Sequence, residues 1–396
     1  MLPIKTFLTL TFILLSLAST LAQPVTLSDE AEIIVMTMSP GQEELYSAFG
    51  HSALRVRDDL NGLDIVFNYG IFDFDQPNFY LNFTKGKLLY KLGTAHYSRF
   101  LRYYMSINRT ITEQTLNLNP TEKQEIFNFL TENAKPENAD YYYNYCYNNC
   151  ATKIRDVIEQ SLDGRITFNY NYSNDSLSYR GLMDKYLHQQ PWGDLGIDFC
   201  LGSEIDQLAD GPAYMYMPEY LEIALDGAKL YTDSSTVPLI KNKKIIHKAT
   251  DQPNMASPIR PFHIFILLFF LVGIITHRSI KYQVSYRFID GILFGVTGFL
   301  GFTLLLLWFG TDHLSQYNYN LIWCNPLNLL AFILLLRRKK QSWLRYYFNF
   351  YGIALIALIA FNAILPQQLH EAFVPLVLGL MIRSFYLGYW LKGEKK

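Results

Sequence analysis

A cysteine that closes a run of aromatics and asparagines and opens an apolar repeat is placed for nucleophilic chemistry. In residues 141–156, YYYNYCYNNCATKIRD, the repeat starts directly after Asn149-Cys150 and sets Ile154, Val157 and Ile158 on one side of a helix. The first N–H groups of a helix lack partners within it and favour negative charge, so Cys150 there has its thiolate stabilised and its pKa lowered. The other reading of any single cysteine is a small buried hydrophobe. A base decides between them. A thiol nucleophile needs a proton acceptor within hydrogen-bond reach, often with a third polar group orienting an imidazole. His51 is the candidate base, with His96 the alternative. Asn68 is the candidate orienting group, ahead of Asp73, with Tyr69 beside it. Asn149, Ser52 and the backbone N–H of Cys150 or Ala151 are candidates for positioning a substrate or its oxyanion.

The elements that must bring these groups together follow from local pattern. Residues 33–38 form a strand that ends in a Ser-Pro-Gly turn. From His51 the side chains alternate, so His51 starts a half-buried strand directly after Gly50. The polar turn around Asn61-Gly62 is a hairpin signal, and the return strand at 65–70 carries Asn68 and Tyr69 back toward His51. Strand character over 110–119 precedes a helix from Pro120 to Asn133, capped by Asn119 or Thr121. The cysteine helix stops near Gly164. A strand over 165–170, a helix around 178–187, a helix from 216 to 228 and paired strands over 229–247 complete an α+β domain.

Composition sets the rest of the chain apart. Half of the residues are apolar, and the excess lies after Arg260; the formal charge of -1 gives no field that would select nucleic acid. Residues 1–22 have one lysine, an apolar run and a small-residue site ending at Ala22, the pattern of a cleaved signal peptide. After a linker at 251–261, five apolar segments at about 262–276, 288–309, 321–336, 346–365 and 371–391 each approach the length of a membrane span. Basic ends at 277–281, 337–340 and 392–396 alternate with ends nearly free of Lys and Arg, which puts the C-terminus in the cytoplasm and residues 23–260 outside it. The division is thus signal peptide 1–22, extracytoplasmic domain 23–260 and an all-α transmembrane domain 261–396 with five helices.

Export permits disulfides. If Cys150 stays reduced, Cys146 with Cys200 is the pair left in the soluble part. Asp194, Asp198, Asp206 and Asp210 have no calcium-loop spacing and read as turn or helix caps, no CxxC is present and the histidines lack zinc spacing, so neither metal nor other cofactor is expected. The aromatic and basic stretch 78–105 is either a packed helix and strand with snorkelling Lys and Arg tips or a face close to phospholipid headgroups. On the outward side of the membrane segments, His313, Asn320 and Asn325 either cap helix ends at headgroup level or shape a site shared with the soluble domain.

Histidine on a strand, a polar residue on the next strand and Asn-Cys opening a helix match the circularly permuted arrangement of papain-like cysteine hydrolases and acyltransferases. The motifs Phe49-Gly50-His51-Ser52, Phe67-Asn68-Tyr69-Gly70 and Asn148-Asn149-Cys150-Ala151-Thr152, with His313 and Asn325-Pro326, resemble the lipoprotein N-acyltransferases of Bacteroides-type bacteria over nearly the whole mature chain. The resemblance implies acyl transfer at the periplasmic face of the inner membrane. The donor would be a glycerophospholipid and the acceptor the α-amino group of the lipidated N-terminal cysteine of a diacyl lipoprotein. The competing class is an envelope cysteine peptidase or peptidoglycan amidase that uses the same pair. A non-enzymatic reading makes the domain a tethered binding module with an inert cysteine.

Overall fold

The first three strands, within residues 32–72, are buried on both faces, the first two nearly throughout and the third at its centre. In the computed structural model, which describes residues 25–72, 75–172, 176–250, 258–337 and 342–393, β1 (Glu32–Met38), β2 (His51–Asp58) and β3 (Leu63–Phe72) are an antiparallel meander. The expected signal peptide at 1–22, Asp73 and most of the expected linker at 251–261 lie outside the described residues. The β2–β3 connection is a single 3-10 turn in which the Asp58 side chain accepts from Asn61 N and Gly62 takes φ 65. β4 (Leu89–His96), β5 (Ile111–Leu116) and β6 (Asp140–Tyr142) extend the sheet. β7 (Ile166–Thr167), β8 (Lys229–Tyr231) and β9 (Thr236–Pro238) form a separate small sheet, so the strand expected over 165–170 shrinks to two residues. β10 (Ile240–His247) joins β5 instead of its sequence neighbour, giving the order β10-β5-β1-β2-β3-β4-β6. As an edge strand it carries Lys241, Lys243 and Lys244, which discourage pairing with another chain.

The two faces of this sheet bury different helices. Ile33, Val35, Leu54, Val56, Phe67 and Tyr69 point to one face. There they pack on α3 (Pro120–Asn133), α4 (Cys150–Ser161) and α7 (Pro218–Asp226) through Ile126, Leu130, Ile154, Ile158, Leu221 and Leu225. Each such side chain contributes about 1.5–3 kcal/mol when fully buried. On the opposite face Ile34, Met36, Ala53 and Val66 pack on Phe100 of α2 (Tyr97–Ser106). A short α1 (Phe79–Thr84) crowns the β3–β4 connection, and α5 (Tyr179–Leu187) and α6 (Pro191–Cys200) form a second layer. Asn119 caps α3, with its Oδ1 2.9 Å from Glu122 N.

Beyond Arg260 the fold is helical: α8 (Pro261–Tyr282), α9 (Arg287–Gly310), α10 (Leu327–Leu336), α11 (Leu344–Ala360) and α12 (Phe373–Gly393). Four of the five expected segments, Pro261–Tyr282, Arg287–Gly310, Tyr319–Leu336 and Phe373–Leu391, are long and apolar enough to cross a membrane. The remaining one is the shorter apolar helix α11. Two polar groups hold the bundle. Arg383 of α12 pairs with Asp290 of α9 and donates to Thr276 and Ser279 of α8 at 3.3 and 3.2 Å. Asn328 of α10 donates to Thr297 and Tyr351, each at 3.1 Å.

Soluble and membrane parts meet at the C-terminal end of α6. Carbonyls of a last helical turn have no partner inside the helix. Here the Asn320 Nδ2 donates to Asp198 O at 2.9 Å, Asn318 Nδ2 to Phe199 O at 2.8 Å and Gln367 Nε2 to Leu201 O at 2.9 Å. Gly202 N donates in return to Leu314 O at 2.8 Å. Asn320 Oδ1 also accepts from Trp323 Nε1 at 2.8 Å. Replacing Asn320 with Ala should therefore destabilise the junction by about 1–3 kcal/mol, because buried carbonyls lose their donor. Thermal unfolding of the detergent-solubilised protein checks this: a lower midpoint is expected, and an unchanged one would remove the junction from the stability argument.

Candidate active site

Cys150 is the first residue of α4, and the side chain before it fixes that helix start. Asn149 Oδ1 accepts from Ala151 N at 2.9 Å and Thr152 N at 3.0 Å, while Thr152 Oγ1 accepts from Asn149 N at 2.8 Å. Asn149 Nδ2 donates to Tyr145 O at 2.9 Å and Tyr216 O at 2.7 Å. A cap of this kind is worth about 1 kcal/mol. The side chain expected to position a substrate is instead engaged at both ends in holding Cys150.

The histidine comes from the sheet. Gly50 has φ 77, and a Cβ there would stand 2.8 Å from Met38 O, so only glycine lets β2 begin with His51 beside the end of β1. His51 Nε2 lies 2.5 Å from Asn68 Oδ1. An amide oxygen accepts only, so Nε2 carries the proton and Nδ1 is the ring nitrogen left for Cys150. Gly70, at φ 92, lets β3 pass close: a Cβ there would lie 3.8 Å from Cys150 Cβ and 3.9 Å from His51 Cε1. Tyr104 of α2 stacks on the imidazole at 6.0 Å and 12°.

The electrostatics favour charge separation within the pair. Burial opposes ionisation of the Cys150 thiol, but the His51 charge, the hydrogen bond from His51 and the N–H groups of Ser52 and Ala151 outweigh it and lower its pKa. Burial likewise opposes the imidazolium, and the charge of and hydrogen bond to Cys150, with Asn68, outweigh it and raise the His51 pKa. Cys150 is only 7% exposed. Around it stand Tyr104 and Tyr143, whose phenols are pushed up by burial and by the Cys150 charge and so stay neutral. Tyr90 stacks on Tyr143 at 4.4 Å. This tyrosine wall was not assigned to the site from sequence; the density of Tyr in 141–147 and the aromatic stretch 78–105, which holds Tyr90 and Tyr104, were its signals.

The other expected site residues divide clearly. Ser52 is buried on the α4 face, with its Oγ unpartnered and its N–H toward the thiol. Tyr69 points the opposite way from Asn68 and donates to Asn133 Oδ1 at 2.6 Å, so its hydroxyl ties α3 to the sheet while the side chain lies in the same core as Cys150. His96 is exposed and caps α2 by accepting from Ser98 N, which removes it as a base. Asn325 accepts from Leu327 N at 3.0 Å, a local turn at the start of α10. Asn320 holds α6, and His313 places its backbone against Gly86. These three thus lie at the junction or at a helix start. Cys146 and Cys200 are both free thiols, as are Cys150 and Cys324, in place of the Cys146–Cys200 bridge considered from sequence. Cys146 is packed among Ala48, Leu182, Leu201 and Tyr216, an apolar setting with no second cysteine in the cluster.

Asp210 is a helix cap, accepting from Ala213 N at 2.8 Å, but the other three aspartates are not. Asp198 and Asp206 bind Arg180 at 2.7 and 2.8 Å, and Asp194 lies 3.3 Å from His370 Nε2. Asp184, Asp194 and Asp198 converge to within 4.8 Å on a cavity of about 570 Å³ that Arg180 and His370 also line. Asp184 comes from α5 and the others from α6, so no linear spacing announces the cluster.

Residues 26–184 match the Lnb N-terminal periplasmic domain, and residues 252–396 match the Lnb transmembrane domain. The chain belongs to the Lnb family. As an Lnb-family member it is a membrane protein with a periplasmic domain and an enzyme of lipoprotein maturation. His51, Asn68 and Cys150 all fall within the Lnb periplasmic match, whereas α6 lies between the two Lnb matches. No curated protein and no solved structure matches the chain.

The opposite environments of two cysteines give a direct test. Burial pushes the Cys146 thiol up to about 12, whereas that of Cys150 is lowered. At neutral pH a small alkylating agent should modify Cys150 at least about tenfold faster than Cys146, because only the thiolate reacts. In His51→Ala the Cys150 rate should fall and its pH profile move upward. Peptide mapping of the alkylated full-length protein reads both, and equal labelling of the two cysteines would contradict the pairing.

Proposed function

We propose that this chain moves an acyl chain from a membrane glycerophospholipid to the α-amino group of the lipidated N-terminal cysteine of a diacyl lipoprotein, giving the triacyl form through a Cys150 thioester. The observation that carries the reading is the buried Cys150–His51–Asn68 constellation in a periplasmic domain bonded directly to a bundle of apolar helices. A peptidase or amidase acting on soluble wall fragments has no need of such a bundle.

The steps balance as a ping-pong exchange. His51 Nδ1 takes the thiol proton, and the Cys150 thiolate attacks the ester carbonyl carbon. The tetrahedral oxyanion accepts from the Cys150 N–H, since Asn149 Oδ1 already takes those of Ala151 and Thr152, and from the unpartnered Ser52 hydroxyl. The carbon–oxygen bond breaks, His51 returns its proton to the leaving oxygen and a lysophospholipid departs. The acceptor amine then attacks the thioester, His51 takes the amine proton, and the thiolate is released with an amide formed. Asn68 acts through His51 by fixing the ring with Nε2–H outward. No metal or cofactor enters these steps.

The layout in this reading is a signal peptide over 1–22, a periplasmic domain over 23–260 in the circularly permuted papain-like arrangement, and a membrane domain over 261–396. There α11 is the fifth span, about 26 Å long at 1.5 Å per residue. The basic ends at 277–281, 337–340 and 392–396 support a cytoplasmic C-terminus.

Mass spectrometry of N-terminal lipopeptides from cells whose only copy carries Cys150→Ala provides the test. Loss of the amide-linked chain with unchanged peptidoglycan fragments is the expected result; retained triacyl lipopeptides would overturn transfer, and altered wall fragments would point to the amidase. With purified protein, His51→Ala should slow transfer about 10²–10⁴-fold, the usual size of an acid–base contribution. Asn68→Ala should cost less, since it removes orientation and leaves the base.

A further inference from the structure

Helix α1 is apolar on a face that no described residue of the chain covers. Tyr80 is 79% exposed, and Leu81 and Phe83 are also exposed, on a helix of six residues. A soluble domain gains nothing by presenting such a cluster to water, so the cluster marks an interaction surface. Its position identifies the partner. Directly after α1, Lys85 O accepts from Asp312 N at 2.8 Å, two residues beyond the end of the apolar helix α9. Gly86 lies so close to this turn that a Cβ would stand 2.6 Å from His313 N. The outer end of α9 carries Trp308 and Phe309, with Tyr317 packed on Trp308 at 5.3 Å, the aromatic composition found where a span leaves the hydrocarbon. A six-residue helix is about 9 Å long, so all of α1 stays near that level. The exposed Lys85 and Lys87 beside it suit anionic headgroups.

We propose that α1 is seated in the outer surface of the same bilayer that α9 crosses, with Tyr80, Leu81 and Phe83 at the boundary of headgroups and acyl chains. The surface is continuous with the membrane-facing wall of the bundle, which is why a lipid leaflet is its occupant. The helix also lies in the loop of the β3–β4 hairpin, and the loop end of that hairpin borders the thiol: Gly70 on the outgoing strand flanks Cys150, and Tyr90 on the returning strand stacks on Tyr143. A phospholipid touching α1 therefore stands at the rim of the site. The contact itself does not depend on the acyl-transfer reading.

The test uses full-length protein in vesicles of phosphatidylethanolamine and phosphatidylglycerol, with p-benzoylphenylalanine in place of Tyr80 or Phe83. The control is the same residue in place of Leu60, which is 70% exposed at the other end of β3, about 33 Å away along a ten-residue strand. Irradiation should add the mass of a phospholipid at positions 80 and 83 and not at 60. Absence of lipid adducts at 80 and 83, equal yields at 60, or cross-links to another protein in intact cells would each overturn the proposal. Because no turnover is required, the same labelling is expected in the Cys150→Ala protein; its failure is separate from any failure of acyl transfer.

Discussion

The unpaired carbonyls at the end of α6 set the geometry on which everything else rests. A helix end buried without donors is unfavourable, and here the donors are amide side chains that precede α10 and α12 in the membrane part. Several bonds with fixed directions hold a helix end at one height and one angle, which apolar packing alone does not do. Arg180 reinforces the same point from inside the soluble domain, donating to Leu201 O and Gly202 O while it binds Asp198 and Asp206. The domain that carries the thiol site is thereby held in one orientation on the helical bundle.

Within the site the same economy of hydrogen bonds determines charge. A thiolate in a setting this dry survives only because an imidazolium and two backbone N–H groups face it. The neighbouring phenols remain neutral and supply an apolar wall with polar rims. Such a wall limits water at Cys150 without placing a second charge beside the pair.

Much of this was legible in the chain because it is local or periodic. Alternation from His51 and the return strand brought Asn68 and Tyr69 toward His51, with Asn68 ahead of Asp73 as the orienting group, and the register then sent Asn68 to the His51 face and Tyr69 to the core. The Asn-Cys helix start was likewise visible, but the role of Asn149 was not: a cap and an oxyanion donor need the same amide, and only the three-dimensional partners Tyr145 and Tyr216 separate them. Long-range apposition was the main loss. β10 pairs with β5 across more than a hundred residues, and Asn318 and Asn320 meet carbonyls of α6 that no sequence pattern links to them. The carboxylates of Asp184 and Asp198 were misread as caps or passed over for the same reason, since their common partner space is assembled from two helices and the loop carrying His370.

Arg383 and Asp290 also bear on how the protein is made. They are ninety-three positions apart, on the last and second membrane helices. During synthesis Asp290, in the first turn of α9, reaches the boundary of the bilayer long before Arg383 exists, and its carboxylate stays without that partner until α12 is made. The nascent bundle is consequently held in an incomplete, poorly settled state until the final helix arrives and neutralises it. Completion of the polypeptide and consolidation of the bundle become one event, so a chain cut short before α12 is left with a polar flaw that membrane quality control can recognise.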